Sequence, residues 1–414
     1  MSAKSERGLA RLTARDDCQR EATPQQSVVS RRPSLTYVAL ASVVGALIWI
    51  RWGGIRKGIW VDLDVYIRGA AAVIRHEPLY SVSVHGLPFT YPPFAAVLYL
   101  PLELLGDAGA RWLLTVASTT CYFVVVVVCA RRLRMSLAIA GVVGLAGLSF
   151  EPFLRTILLG QINLVLLALV VVDCLVVPAR YRGMLIGLAT GIKILPGAFI
   201  LFLILKREWS AVGRALAAFA VTVAVGAVFA PGDSWLFWRG GFINLSRWGQ
   251  QAVIGGDNQS LSAALMRLSH NISPPGILVL LMFVSVLMLG LVAAKREIES
   301  GNEVNGLVCI GFASLLASPI SWTHHWVWGV VALLVLIQSR YRVAAALLGA
   351  VFVTGPMWLA PRGQLVELRQ SWWQAAACVS YVAIGLAYLV FFASRRPRSG
   401  SRPTLSAPSS ERAT

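Results

Sequence analysis

Apolar residues fall along this chain in long blocks, not in alternation with polar ones. After a polar, basic stretch over residues 1–34, apolar runs occur at 35–50, 112–130, 135–150, 161–178, 183–205, 210–230, 276–294, 305–318, 325–338, 343–360 and 372–394. A hydrocarbon core of about 30 Å takes about 20 helical residues. Several runs reach that length, so the pattern predicts an all-α polytopic membrane protein. The first run is followed by Arg51 and Trp52 and not by a small-residue cleavage site, so it reads as a retained transmembrane helix. No Gly/Ser-rich linker or long internal repeat divides the chain. One transmembrane domain is expected over 35–394, between a disordered basic tail at 1–34 and a disordered Ser/Pro/Arg-rich tail at 395–414.

Basic clusters beside short connections set the orientation. Arg131, Arg132 and Arg134, Arg180 and Arg182, Lys206 and Arg207, Lys295 and Arg296, Arg340 and Arg342, and Arg395, Arg396 and Arg398 belong on the cytoplasmic side with both termini. The 183–205 run then has basic residues at both ends, which requires a hairpin of two short helices with its apex near Lys193. The 14-residue stretch Pro93–Gly106 is short for a crossing and is expected as a helix in the outer interface. About twelve transmembrane helices result. The outer face carries large loops at 51–111 and 231–275, and shorter ones at 151–160, 319–324 and 360–371.

Composition agrees. The chain is 57% hydrophobic and 14% charged, against about 25% charged in soluble domains. A formal charge of +18 suggests nucleic acid when it lies on one compact domain; here most of it marks the cytoplasmic connections and tails, so no nucleic-acid partner is expected. Of the six cysteines, Cys18 lies in the polar tail and Cys121, Cys129, Cys174, Cys309 and Cys378 in apolar runs. No CxxC or Cys/His spacing points to a disulfide framework, a metal site or a cofactor.

Polar residues at membrane depth or gathered in outer loops are the candidates for chemistry. Asp62 and Asp64 follow the first crossing and serve either as general bases or as helix N-terminal acids. Glu151 and Arg155 precede Gly160-Gln161-Ile162-Asn163, whose amides either bind sugar hydroxyls or join helices. Lys193, in an apolar hairpin with no acid near it in sequence, must find an anion or snorkel to the surface. His324 and His325 lie at an outer helix boundary, each a phosphate donor or a packing residue. Asp257-Asn258-Gln259-Ser260 lies in the third outer loop and contains a glycosylation sequon. Asp173, near Arg180, reads as a local ion pair.

In chain order, Asp62-Leu63-Asp64-Val65-Tyr66, Pro78-Leu79-Tyr80, Tyr91-Pro92-Pro93, Gly160-Gln161-Ile162-Asn163, Lys193-Ile194-Leu195-Pro196, Asn258-Gln259-Ser260-Leu261 and Ser318 to His325 resemble the polyprenol-phosphate-mannose-dependent alpha-mannosyltransferases of glycosyltransferase family 87. The resemblance covers about residues 55 to 330. It implies the GT-C membrane fold, with interfacial helices in the first outer loop and an active site on the extracytoplasmic face of a multi-pass plasma-membrane protein. The donor it implies is a polyprenyl-phosphate sugar, and the acceptor a glycolipid or lipoglycan. In the family's Asp-x-x-Val-Tyr arrangement the catalytic acid is the first position, here Asp62; Asp64 adds a second acid and stands as an alternative base. Lys193, His324, His325 and Arg155 would hold the donor phosphate, and Tyr66, Gln161, Asn163, Asn258 and Gln259 the sugars. A polytopic transporter or flippase of a lipid-linked saccharide is the competing reading, since broken helices and midmembrane charge also mark transporters.

Overall fold

The computed structural model describes residues 59–81, 83–241 and 248–395. The apolar run at 35–50 and the tails, Arg395 apart, lie outside them. Within the described residues the protein is all-α except for one small hairpin.

The first outer segment is built from short pieces. Helix α1 (Val61–Arg75) is followed by strands β1 (Ser83–Val84) and β2 (Leu87–Pro88), antiparallel with Ser83 opposite Pro88. His85 and Gly86 between them have φ of 51° and 77°, the two positive angles that match a two-residue turn to strand twist. The stretch expected as one interfacial helix is two, α2 (Pro93–Leu98) and α3 (Leu100–Leu104). Pro101 at the start of α3 has no N–H to continue the helical ladder.

Next come α4 (Gly106–Arg132), α5 (Leu137–Gly147), α6 (Glu151–Leu159), α7 (Asn163–Leu175), α8 (Met184–Ile192), α9 (Ile200–Leu205), α10 (Trp209–Phe229) and α11 (Pro231–Trp238). The chain continues through α12 (Gly249–Ile254), α13 (Leu261–Leu268), α14 (Gly276–Glu299), α15 (Glu303–Ala317), α16 (Gly329–Gln338), α17 (Arg342–Thr354), α18 (Trp372–Cys378) and α19 (Ser380–Ser394).

Among the described residues, α4, α10 and α14 are long and apolar enough to cross a bilayer. The pairs α5/α6 and α18/α19, bent by 60° and 64°, bring that number to five if each is one span. About twelve crossings were expected from the apolar runs. Several runs instead form helices of 10 to 15 residues, among them α7, α15 and α16, whose side chains are mostly buried against other helices.

The 183–205 run breaks where expected. Helix α8 ends at Lys193, whose backbone is extended (φ −150°, ψ 132°), and a 3-10 turn at Leu195–Phe199 leads into α9. At the open end, Arg182 donates to the Glu208 carboxylate at 2.7 Å, and Lys206 bonds Glu208 and Glu303 at 2.9 and 2.6 Å. The two ends of the run are thus joined, with Lys193 at the closed end.

Two apolar clusters form the interior. The larger runs through α4 to α10, α13 to α17 and α19. The smaller joins α1, the hairpin, α2 and α3 to Ile162, Leu166, Ala189 and Ile192.

Asp173 is not paired with Arg180, which stacks on Tyr181. Its carboxylate accepts the Gly183 and Ile186 N–H groups, each at 2.7 Å, satisfying donors at the start of α8 that no helical carbonyl reaches. Asp173→Ala is therefore expected to cost about 2 kcal/mol or more and to lower the melting temperature of the detergent-solubilised protein. Arg180→Ala is expected to change stability by less than about 0.5 kcal/mol.

Candidate active site

Helix α6 ends at Gly160, where φ is +69°. A Cβ there would lie 2.6 Å from Leu63 Cβ, so glycine permits both the left-handed stop and the close approach of α1. The Trp60 N–H bonds the Leu158 carbonyl at 3.1 Å. These contacts fix the first turn of α1 against Gln161.

Asp62 and Asp64 are two residues apart on α1, hence about 200° apart around it. Asp62 lines an open cavity of about 180 Å³ together with Tyr91, Gln161, Lys193 and His325. Asp64 turns away from that cavity to His85 in the hairpin, 3.2 Å from its Nε2. Burial raises the pKa of Asp62 above the usual carboxylate value, against a hydrogen bond to Gln161 and the charges of Lys193 and Arg155.

Gln161 is held from behind. Its Oε1 accepts the Tyr66 hydroxyl at 2.8 Å and the Tyr91 hydroxyl at 3.4 Å, and Tyr66 stacks on Tyr99 with ring centroids 4.4 Å apart. Burial holds the Tyr66 phenol above its ordinary pKa, so it acts as a neutral hydroxyl. Tyr66 therefore positions Gln161 and does not line the cavity.

In the same cavity, Lys193 Nζ donates to Asn163 Oδ1 at 3.0 Å and lies 2.9 Å from His325 Nε2, with the Tyr91 ring 5.4 Å away. Burial, the Lys193 charge and then His324 hold His325 well below its ordinary pKa. The ring is accordingly neutral; Nε2 accepts from the ammonium and the proton is on Nδ1. That Nδ1 is buried with no partner among the described residues. Lys193, Leu195 and His325 also border an adjoining recess whose other walls include Leu166, Val170, Phe199, Leu315 and Trp328. The cation thus stands where the chamber that holds Asp62 and Gln161 meets this second recess.

The remaining predicted site residues stand elsewhere. Asn163 lines the apolar recess, and its Nδ2 donates to the His324 carbonyl at 3.0 Å. The His324 ring turns about 90° from that of His325 and lies outside the cavity wall. Arg155 packs over Trp358, 4.8 Å from the ring centroid; its charge acts on Asp62 and His324, but it does not line the cavity. Asn258 and Gln259 are fully buried. Asn258 Oδ1 accepts from Ser260 and Ser321 N–H and its Nδ2 donates to the Val253 carbonyl. Gln259 bonds the Gly256 and Cys378 carbonyls and the Tyr381 N–H. The Asn258 amide joins the third outer loop to segment 319–321, the Gln259 amide joins it to Cys378 and Tyr381, and neither lines the cavity. A buried Asn258 is also closed to glycosylation.

Four cavity aromatics were given no site role in the sequence, Phe237 among them. Tyr91 was visible only as part of a motif. Trp248 and Trp322, 5.8 Å apart, also line the cavity; they are far apart in sequence, and a tryptophan at a membrane interface is expected from anchoring alone. Trp322 is positioned by its bridge to Asn258.

Comparison with known proteins gives a consistent picture. The model of glycosyltransferase family 87 matches residues 89–319. A polyprenol-phosphate-mannose-dependent alpha-(1-2)-phosphatidylinositol mannoside mannosyltransferase of Mycobacterium tuberculosis is 34% identical, over 80% of this chain and 83% of its own. The protein of that name from Mycolicibacterium smegmatis is 32% identical, over 85% and 87%. A polyprenol-phosphate-mannose-dependent alpha-(1-2)-phosphatidylinositol pentamannoside mannosyltransferase of the same organism is 31% identical, over 82% and 87%. No solved structure matches significantly.

Asn258→Ala would leave the Ser260 and Ser321 N–H groups buried without their acceptor. The expected cost is about 2 kcal/mol, read as a lower melting temperature even in the absence of any ligand.

Proposed function

The chain belongs to glycosyltransferase family 87, and on that premise we propose that it transfers a mannosyl residue from a polyprenyl-phosphate donor to a glycolipid of the phosphatidylinositol mannoside class. The observation that carries this reading is that Asp62, Lys193 and His325 line one cavity, and that Lys193 and His325 also border an adjoining recess walled largely by apolar side chains. A lipid phosphate fits that boundary, with its charge at the ammonium and the start of its polyprenyl chain against Leu195, Phe199 and Trp328.

The chemistry needs one base. The Asp62 carboxylate takes the proton of an acceptor hydroxyl as that oxygen forms a bond to the anomeric carbon. The bond from that carbon to the phosphate oxygen breaks, and the polyprenyl phosphate leaves with the electron pair. Lys193, its ammonium held in place by His325 Nε2, stabilises its growing charge. Attack from the Asp62 side and departure on the Lys193 side invert the centre, turning a beta-linked donor into an alpha-linked product. Gln161, fixed by Tyr66, orients Asp62, while Trp248 and Trp322 offer apolar ring faces to the sugars. The architecture proposed is the GT-C arrangement, with this cavity on the extracytoplasmic side, both termini cytoplasmic and the 183–205 run as a re-entrant hairpin.

The test is transfer from radiolabelled polyprenyl phosphate mannose to phosphatidylinositol mannosides by purified protein in nanodiscs. Asp62→Asn is expected to lower the rate by about 10²–10⁴-fold and Asp64→Asn by only a few-fold; an Asp62→Asn variant as fast as wild type would remove Asp62 as the base. Absence of transfer by the wild type would return the transporter reading.

The pH profile has a definite sign. A base works only when deprotonated, and burial raises the pKa of Asp62. The acid limb of kcat/KM should therefore lie above the ordinary carboxylate range, with activity lost as pH falls through it. Gln161→Ala removes an opposing contact and should move that limb further up.

A further inference from the structure

Arg155 and Arg362 gather on one indole ring, that of Trp358, with guanidinium carbons 4.8 and 4.3 Å from its centroid. Two like charges at one ring repel unless something negative joins them. Of the acids nearby, Glu151 and Glu367 are engaged largely with other groups. Glu151 accepts the Trp358 indole N–H at 2.9 Å and the Tyr381 hydroxyl at 3.0 Å, leaving Arg155 only a 4.0 Å contact. Glu367 accepts from Gln251 and the Gly363 N–H. The charge of Asp257 acts on both arginines but it forms an ion pair with neither. Among the described residues Arg362 has no ion pair, and its side chain is exposed.

This pair is separate from Lys193. It lines neither the Asp62 cavity nor the apolar recess, yet Arg155 is near enough for its charge to act on Asp62. Arg155 stands on α6, whose end at Gly160 packs against Leu63 beside Asp62, so an anion held here would belong to a molecule bound next to that helix pair. The planar guanidinium forks suit phosphate oxygens, and the indole keeps their planes fixed.

We propose that Arg155 and Arg362, held on Trp358, bind the phosphodiester of the lipid acceptor and so present its terminal sugar to Asp62. The identity of that acceptor rests on the mannosyltransferase reading above. The site explains how two lipid phosphates are kept apart: the donor's goes to an ammonium beside an apolar recess, and the acceptor's to a pair of guanidinium groups outside it.

The experiment compares two acceptors in nanodiscs of phosphatidylcholine, a phosphatidylinositol mannoside and the same mannoside on an uncharged lipid, with wild type and Arg362→Gln. Wild type should favour the phosphodiester acceptor, and Arg362→Gln should erase about tenfold of that preference through acceptor KM, with donor KM within twofold. Arg155→Gln should act alike, and Arg362→Lys should restore part of the loss. Direct binding of the acceptor without donor, followed by tryptophan fluorescence, separates the two levels. Arg362-dependent binding with no transfer removes the mannosyltransferase reading and leaves the site. Transfer with an unchanged acceptor preference in Arg362→Gln removes the site and leaves the reading. An equal rise in donor KM, or displacement of the acceptor by equimolar phosphatidylglycerol, also overturns the proposal.

Discussion

A half-buried ammonium without a carboxylate at contact distance is the constraint around which this site is organised. Lys193 ends α8 in extended backbone, and among the described residues it is in no ion pair. Removing a charge from water costs several kcal/mol unless polar partners replace the solvent. The replacements are an amide oxygen, an imidazole nitrogen and an aromatic face, each of which requires support. Asn163 is fixed by the His324 carbonyl. His325 must stay neutral to accept, and burial together with the ammonium itself keeps it so. The break in the 183–205 run, the turn at 323–325 and the start of α7 are thus parts of one solution to a solvation problem.

The cavity lies where the two apolar clusters meet. The smaller cluster supplies Val65, Leu87 and Tyr91, the larger supplies Leu195, and the polar groups stand between them. The amide-rich strap at 257–260 closes the seam from another side by pairing with 319–323. Its polar side chains spend their bonding capacity on backbone, which gives the wall its shape without adding groups for a ligand.

Much of this was legible in the sequence. The apolar runs gave most of the helices, and the flanking arginines with Lys193 and Pro196 gave the break in the 183–205 run. The outer-loop acids, Gln161, Lys193 and His325 were singled out from charge at membrane depth, and four of these residues meet in one cavity. What failed did so for physical reasons. Polarity alone does not tell an amide that faces a ligand from one that bonds backbone, so Asn258 and Gln259 looked like sugar contacts. Proximity in sequence placed Arg180 beside Asp173, whereas the carboxylate reaches the donors at the start of α8. The choice between Asp62 and Asp64 depends on the rotation of α1, which its packing at Gly160 determines. Trp358 and Arg362 drew no notice because the partner that gives them meaning, Arg155, lies 200 residues earlier.

The boundary at Lys193 also bears on the fate of the spent carrier. A sugar-loaded polyprenyl phosphate is a diester with one negative charge; once the sugar has gone, the monoester has a second pKa of about 6 and carries nearly two at neutral pH. The cation that eases departure therefore holds the empty carrier more firmly than the loaded one, while the apolar recess grips the same chain in both. Under the proposed reading, the empty carrier competes with the loaded one for this site, so the ratio of loaded to empty carrier in the membrane becomes a control on the enzyme.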